Sequence, residues 1–275
     1  MKQVAVVVLN WNGWPDTLAC LASLRGQDYP RFNVLVVDNG STDDSVVQIA
    51  RAAPGVELLQ SGANLGFGGG CNVGIRHALA GGADYVWLIN SDATADAQAL
   101  SAMVATMDKN PLLGSVGSVL YDVGTTGQIQ LWGGGRVRLW WGQSRHQRSP
   151  GPLDFISGAS LLLRRQALEA VGLFDQETFF MYWEDTDLAF RMRKAGWELA
   201  VADDARVWHK QSASVGQRSP LLDEYFTQSA VRFLRRHAPL PFISISLMLA
   251  AMFLKRMIRG EINRIRAVLK GYLSA

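Results

Sequence analysis

Within its first hundred residues the chain alternates between apolar, β-branched runs and helix-like stretches, and few folds accommodate that alternation. The runs cover residues 4–9, 33–38 and 84–89, with a weaker one at 56–60. Val4-Ala5-Val6-Val7-Val8-Leu9 offers no polar residue to water, so it reads as a strand buried on both faces of a parallel sheet. The stretches near 15–26, 43–53, 70–81 and 96–109 read as helices. Pro15 suits a first helical turn, and Ser41-Thr42-Asp43-Asp44 supplies a cap and first-turn acids. Strand–helix alternation with right-handed crossovers builds an α/β sheet, whose ligands bind beyond the carboxyl ends of the strands. The first run argues against a secretory leader, which needs roughly 7–15 apolar residues and a cleavage site. Here Asn10-Trp11-Asn12-Gly13 cuts in directly after Leu9.

Residues 111–155 change character. Gly133-Gly134-Gly135, Trp132, Trp140 and Trp141 predict short strands and loops over a pocket rather than a further βα unit. Order returns over 156–203, with a strand through Leu161-Leu162-Leu163, a short helix near 166–171, a helix over about 185–195 and a strand near 197–202. Beyond about 216 the chain reads as helical, which divides it into a body, 1–215, and an extension, 216–275. Charge follows a similar division. Residues 1–231 hold 18 basic and 23 acidic side chains, a net of −5, whereas residues 232–275 hold nine basic ones and a single acid, Glu261, a net of +8. The split argues against a globally basic nucleic-acid binder and for a catalytic or binding body with a cationic tail. Cys20 and Cys71 have no metal-type spacing around them and read as core thiols of a reducing compartment.

The informative polar residues cluster at strand ends. Asp38 closes the second run and enters Asn39-Gly40-Ser41-Thr42-Asp43; Asn90-Ser91-Asp92 closes the third. An acid there can accept hydrogen bonds from a nucleobase or ribose, and a second can hold a divalent cation, although each also serves as a turn-former or cap. The loop Asn64-Leu65-Gly66-Phe67-Gly68-Gly69-Gly70-Cys71-Asn72 lets a ligand approach the backbone at a helix N-terminus. It is not a dinucleotide fingerprint, and no Gly-Lys-Ser/Thr of a P-loop occurs. In Trp183-Glu184-Asp185-Thr186-Asp187, three acids open a helix whose dipole is expected to keep them ionised. Asp187 with Arg191 reads as a surface ion pair, and Glu184 or Asp185 as a general base. The preceding Phe179-Phe180-Met181-Tyr182-Trp183 suits a sugar-binding wall and core packing equally. His209 follows the last strand, placed for a metal or diphosphate contact; His77, His146 and His237 fall in no catalytic pattern.

Taken in order, Asn10-Trp11-Asn12, Val37-Asp38-Asn39-Gly40-Ser41-Thr42-Asp43, Asn64-Leu65-Gly66-Phe67 with Asn72, Asn90-Ser91-Asp92, Ser157-Gly158-Ala159, Gly172-Leu173-Phe174-Asp175, Glu184-Asp185-Thr186-Asp187-Leu188 and His209 resemble the inverting glycosyltransferases of family 2, in particular their bacterial rhamnosyltransferase-like branch. The match runs from Val4 to about Ser214. The resemblance implies a GT-A fold, α/β with a mostly parallel central sheet flanked by helices, here with a helical C-terminal extension. It implies donor contacts at Asn10, Asp38, Asn39, Asn64, Gly66, Asn72 and Asn90, with Asp38 on the base or ribose. It implies a divalent cation, Mg²⁺ or Mn²⁺, at Asp92 and His209. Asn90 departs from the first acid of the family's Asp-x-Asp motif. Asp185 matches the base, with Glu184 beside it as part of the catalytic pair, and Tyr182, Trp183 and Gly158 are implied on the acceptor side. One displacement by the acceptor hydroxyl inverts the anomeric centre and needs no nucleophilic residue.

Residues 240–254 carry no charge and fall short of the roughly 20 needed to span a bilayer. After them, Ile258, Ile262, Ile265, Leu269 and Tyr272 share a helical face flanked by Lys255, Arg259, Arg266 and Lys270, the pattern of a helix lying on an anionic membrane. Packing on the body or on a second copy, as a homodimer, are the alternatives. The expected partners are a nucleoside diphosphate sugar, with rhamnose first, and a saccharide or lipid-linked acceptor in cell-surface polysaccharide synthesis, with no nucleic acid. The expected location is cytoplasmic, peripheral to the inner face of the membrane. A nucleotidyltransferase is disfavoured because Asn10-Trp11-Asn12-Gly13 stands where a basic glycine-rich loop would be needed. A non-catalytic, membrane-docked nucleotide- or sugar-binding module would not need Asp185.

Overall fold

A computed structural model describes residues 1–124, 127–210 and 219–275. The chain opens with β1 (Val4–Asn10), α1 (Trp14–Leu24), β2 (Phe32–Asp38), α2 (Ser45–Ala52), β3 (Glu57–Gln60), α3 (Gly66–Ala80) and β4 (Tyr85–Asn90). It continues through β5 (Ala93–Ala95), α4 (Ala99–Lys109), β6 (Leu113–Asp122), β7 (Ile129–Trp132), β8 (Gly134–Arg138), a 3-10 turn at Leu139–Trp141, β9 (Gln143–His146) and β10 (Phe155–Ile156). Then come β11 (Ser160–Arg164), α5 (Arg165–Val171), α6 (Glu184–Lys194), β12 (Glu198–His209), α7 (Pro220–His237), α8 (Pro241–Ile258) and α9 (Ile262–Leu273).

The first four strands run parallel in the order β3-β2-β1-β4 and finish together: Asn10 is level with Asp38, Asp38 with Gln60, and Leu9 with Asn90. Antiparallel β11 joins this half to β6, β12 lies parallel to β6, and β5 closes the sheet antiparallel to β12. β7 pairs with the last residues of β6, and β8, β9 and β10 form a smaller antiparallel sheet. Successive residues of β1 serve opposite layers. Val4, Val6 and Val8 meet Trp87 and Leu100 on one face, and Ala5 and Val7 meet Ile75 and Leu88 on the other. This is why the run reads as continuously apolar.

Three expectations change. The stretch 111–155 holds β6, a long strand in the middle of the sheet, as well as short strands and loops. Its Leu113-Gly114-Ser115-Val116-Gly117-Ser118 sequence looks like a loop because neighbours press close: a Cβ at Gly114 would meet Trp197, Ala167 and Met192, and one at Gly117 would meet Ile156. The glycine-rich segment after Asn64 is already helix from Gly66. A Cβ at Gly74 would run into Val7 and one at Gly70 into Leu9, so these glycines let α3 lie close on the sheet instead of opening a ligand loop. Finally, the helix of the extension breaks at Gly260, where φ is +65°, so Ile258 and Ile262 lie on different helices. The expected division at residue 215 lies outside the described residues.

The described part of the extension packs on the body. Phe233 stacks on Trp183 at 4.6 Å between ring centres, Ser229 donates to the Met181 carbonyl, and Arg232 donates to the Thr178 carbonyl. Asp223 of α7 binds Arg256 of α8 and Arg264 of α9, which fixes the three helices to one another.

Candidate functional site

Beyond the carboxyl ends of β1 and β4 lies a cavity of about 500 Å³. Asn39, Asn64 and Gly66 line one part, Asn90, Asp92 and His209 another, and Gly158, Tyr182, Trp183, Glu184 and Asp185 a third. Most residues singled out in the sequence therefore converge. Asn10, Asp38 and Asn72 do not line this cavity. Asn10 is fully buried: its amide donates to Asp38 and Ser41 and its oxygen accepts from Thr17. Asp38 also accepts from the Ser41 hydroxyl and backbone amide. Asn72 donates to the Phe174 carbonyl and to Gln176 while accepting from the Phe174 amide, pinning α3 to the loop before α6.

Asn39 and Asn64 shape the neighbouring loop. Asn39 donates to the Gly66 carbonyl and accepts from the Leu65 amide, and Asn64 accepts from the Gly66 amide. Gly66 has φ +74°, and a Cβ there would run into the Phe180 carbonyl oxygen. A glycine is needed on both counts.

Asp92 and His209 meet because β5 pairs antiparallel with the end of β12, with Ala93 level with His209. His209 Nε2 lies 3.2 Å from Asp92 Oδ1 and 3.2 Å from the Asn90 amide nitrogen. On its other side Nδ1 is 2.9 Å from Gln130 Oε1, and Gln130 Nε2 donates to Asp122 at 2.9 Å. Adjacent ligands of an octahedral cation, each about 2.1 Å from it, lie about 3 Å apart. The spacing of the carboxylate oxygen and the imidazole nitrogen thus fits a divalent cation, with the outer nitrogen held as metal-bound histidines usually are. The described residues contain no group of three His, Cys, Asp or Glu that could enclose a cation alone, so any cation here must take further ligands from substrate or water.

Glu184 and Asp185 start α6 after Tyr182 and Trp183, both in the left-handed region at φ +67° and +69°. Two such non-glycine residues in succession are costly and turn the helix entrance inward. Asp185 accepts from the Gly158 amide at 2.9 Å and from the Thr186 amide and hydroxyl. Glu184 is buried, and its Oε2 has no hydrogen-bond partner among the described residues. The expectation that the helix dipole depresses all three acids fails for this pair. Burial pushes the Glu184 carboxyl up to about 8, helped by the charge of Asp185, and burial also raises Asp185 against its hydrogen bonds. Asp187 is held below the usual carboxylate range: burial opposes its charge, but hydrogen bonds from His237 and Arg191 prevail. It is fully buried, so its bond to Arg191 is no surface pair, and Arg236 of α7 joins it at 3.0 Å.

The aromatic run before α6 divides its work. Phe179 belongs to the core, Trp183 packs there and also reaches the cavity wall, and Met181 and Tyr182 line the cavity with Leu222 and Phe226 of α7. Sequence reasoning missed Gln130, Asp122, Leu222 and Phe226, and also His146, which the hairpin β8–β9 brings to the cavity wall. Only the alternation of Ile129-Gln130-Leu131 hinted at β7. Cys20 and Cys71 are buried core thiols as expected, and burial raises both, Cys20 to about 12.

A family model for glycosyl transferase family 2 matches residues 5–172. An N-acetylglucosaminyl-diphospho-decaprenol L-rhamnosyltransferase of Mycobacterium tuberculosis is 32% identical across 77% of this chain and 77% of its own length. The galactofuranosyltransferase GlfT1 of the same organism is 30% identical across 71% of this chain and 66% of its own. Among solved structures, the mannosyltransferase PcManGT from Pyrobaculum calidifontis, in complex with GDP-Man and Mn²⁺, superposes with a TM-score of 0.64 at 20% identity, covering 98% of this chain and 74% of that one.

Proposed function

The chain belongs to glycosyltransferase family 2, with the GT-A fold, and we propose that it moves a sugar from a nucleoside diphosphate to an acceptor hydroxyl with inversion, Asp185 acting as the base. The observation that carries this reading is the Asp185 carboxylate, held by the Gly158 amide on a wall of the cavity that also contains Asp92 and His209. Asp185 takes the proton of the acceptor hydroxyl as its oxygen attacks the anomeric carbon, and the nucleoside diphosphate leaves from the opposite face. Proton transfer comes late, when the attacking oxygen has become acidic, so a carboxylate suffices. Glu184 stays protonated beside it and leaves the negative charge of the pair on Asp185. Asn39, Asn64, Gly66 and Asn90 contact the donor. Asp38, oriented by Asn10, serves the base or ribose side, while Asn72 holds the loop that faces it. Tyr182, Trp183 and Gly158 bound the acceptor side.

Asp92 and His209 would hold Mg²⁺ or Mn²⁺. A cation held there would neutralise charge on the departing diphosphate. The named specificity of the mycobacterial relative supports rhamnose as the sugar and a diphosphate-linked polyprenyl glycan as the acceptor.

Residues 1–215 form the transferase body and 216–275 its seat on the cytoplasmic face of the membrane. Support comes from α8, whose outward face shows Phe242, Ile243, Leu254, Met257 and Ile258 to solvent. Its inner face holds Arg256 against Asp223, which favours a helix lying on the surface over one crossing it. Trp140 and Trp141 are half exposed on the turn beside α8, where Gly142 packs close to Met248, and tryptophans of this kind suit a membrane interface.

Asp185→Asn tests the chemistry. Transfer should fall ~100-fold or more while the dissociation constant of the donor stays within about twofold. Near-normal turnover would remove Asp185 as the base; donor binding with no transfer by the wild type would leave a binding module as the better reading.

A further inference from the structure

We propose that Gln130, backed by Asp122, fixes His209 in the tautomer protonated on Nδ1, so that its Nε2 lone pair faces Asp92. The inference rests on the reading of Asp92 and His209 as cation ligands and makes Gln130 a positioning residue for them.

Gln130 has an amide oxygen that only accepts and an amide nitrogen that only donates. One of its two amide ends lies 2.9 Å from a carboxylate oxygen of Asp122 and 3.3 Å from the His209 carbonyl. Both of those atoms are acceptors, so that end is the nitrogen, and its two hydrogens have a partner each. The oxygen is then turned to His209 Nδ1 at 2.9 Å. Only an N–H can meet it there. A neutral imidazole protonated on Nδ1 has a bare Nε2, and that nitrogen sits 3.2 Å from Asp92 Oδ1 and 3.2 Å from the Asn90 amide. With no cation between them, the Asn90 amide can donate to Nε2. With one, Nε2 and Asp92 present two lone pairs at the spacing of adjacent ligands.

The sheet builds the relay. β12 runs parallel to β6 with His209 level with Asp122, and β7 returns antiparallel on β6 with Ile129 level with Tyr121. Asp122 and His209 are therefore level, and Gln130 is the extra residue of β7 at the irregularity between Ile129 and Leu131, opposite Tyr121 and Leu120. An amide is suited to the middle position because it sets the tautomer without adding a second negative charge next to the ring.

The test uses the full chain with ¹⁵N-labelled histidine side chains. Two-bond proton–nitrogen correlation spectra, recorded metal-free at mildly alkaline pH, report the tautomer of each ring, and His209→Gln identifies the signals of His209. The expected result is a proton on Nδ1 in the wild type and a shift toward the Nε2-protonated form in Gln130→Leu. Mn²⁺ titration followed by electron paramagnetic resonance should show Gln130→Leu binding ~10–100-fold more weakly. A wild-type His209 ring protonated on Nε2, or on both nitrogens, overturns the proposal, as does a Gln130→Leu variant with unchanged tautomer and Mn²⁺ affinity. If the wild type takes up no Mn²⁺, the cation reading fails by itself, and the spectra still decide whether Gln130 sets the tautomer.

Discussion

Glu184 and Asp185 are adjacent carboxyls in one buried turn, where the charge of one opposes the charge of the other. The hydrogen bonds decide which one ionises. Asp185 receives two backbone amides and a hydroxyl, whereas Glu184 has only its own backbone amide, and its Oε2 has no partner among the described residues. The Glu184 carboxyl, raised to about 8, stays protonated through neutral pH. A raised carboxyl favours the folded protein fully below its ordinary value of about 4.3 and loses that contribution as pH rises toward 8. Glu184→Gln mimics the neutral acid. It should keep most activity near pH 7, and its kcat/KM profile should lack the decline expected of the wild type above about pH 8. Coinciding alkaline limbs in the two profiles would show that Glu184 does not titrate in this range. Gly66 is the other residue whose identity geometry dictates. Its positive φ and the Phe180 carbonyl against it predict that Gly66→Ala lowers stability by about 2 kcal/mol or more, read from denaturant midpoints.

At the level of elements, α6 is locked from behind. Asp187, one turn along from the Glu184–Asp185 pair, binds Arg191 of its own helix and Arg236 and His237 of α7. Asp175 takes Arg236 as well. Asp175, Asp187 and Asp223 are all held below the usual carboxylate range, their hydrogen bonds to cations outweighing burial. A depressed carboxyl stabilises fully above its ordinary value, about 3.9, and fails only as pH falls below that. The packing of the extension should therefore hold through mildly acidic pH. Removing one partner of a buried pair is a different matter. Asp223→Ala leaves Arg256, only 7% exposed, without its counter-charge, and should cost about 3 kcal/mol. Limited proteolysis would then cut first between α7 and α9; a cleavage pattern like that of the wild type would mean the clamp is dispensable.

On the scale of the whole molecule, the +8 of the last 44 residues proves to be two populations. Arg236, Arg256, Arg264 and Lys270 are spent on Asp175, Asp187, Asp223 and Glu224, and Arg232 on backbone carbonyls. Among the described residues, Arg235, Lys255, Arg259 and Arg266 have no ion-pair partner, and the last three flank the exposed Leu254, Met257, Ile258 and Ile262. About 1 kcal/mol per such cation is available at an anionic lipid surface, and salt screens it. The triple change Lys255→Glu, Arg259→Glu and Arg266→Glu should abolish co-sedimentation with anionic vesicles while sparing the fold. Vesicle binding that ignores both the substitutions and added salt would mean that another part of the protein meets the lipid, and no binding by the wild type would leave these helices to a second copy of the chain. Deleting the extension is a poorer experiment, because Phe233 and Leu234 complete the core around Trp183.

What could be read from the chain alone was whatever short-range physics dictates. The doubly buried strands Val4–Asn10, Phe32–Asp38 and Tyr85–Asn90, their parallel order and the polar residues at their ends are local patterns. Asn10, Asp38, Asn90, Asp92 and Asp185 were visible because each stands at a strand end or helix start. What only the tertiary structure decided depends on contacts between distant segments. Gln130 reaches His209 from an irregularity in the β6–β7 pairing, β6 is disguised by glycines that make room for Trp197 and Ile156, and half the cations of the tail turn inward. Burial, which no sequence window reports, reversed the expected charge of Glu184. A helix dipole acts over one turn, whereas desolvation is set by everything packed around the group.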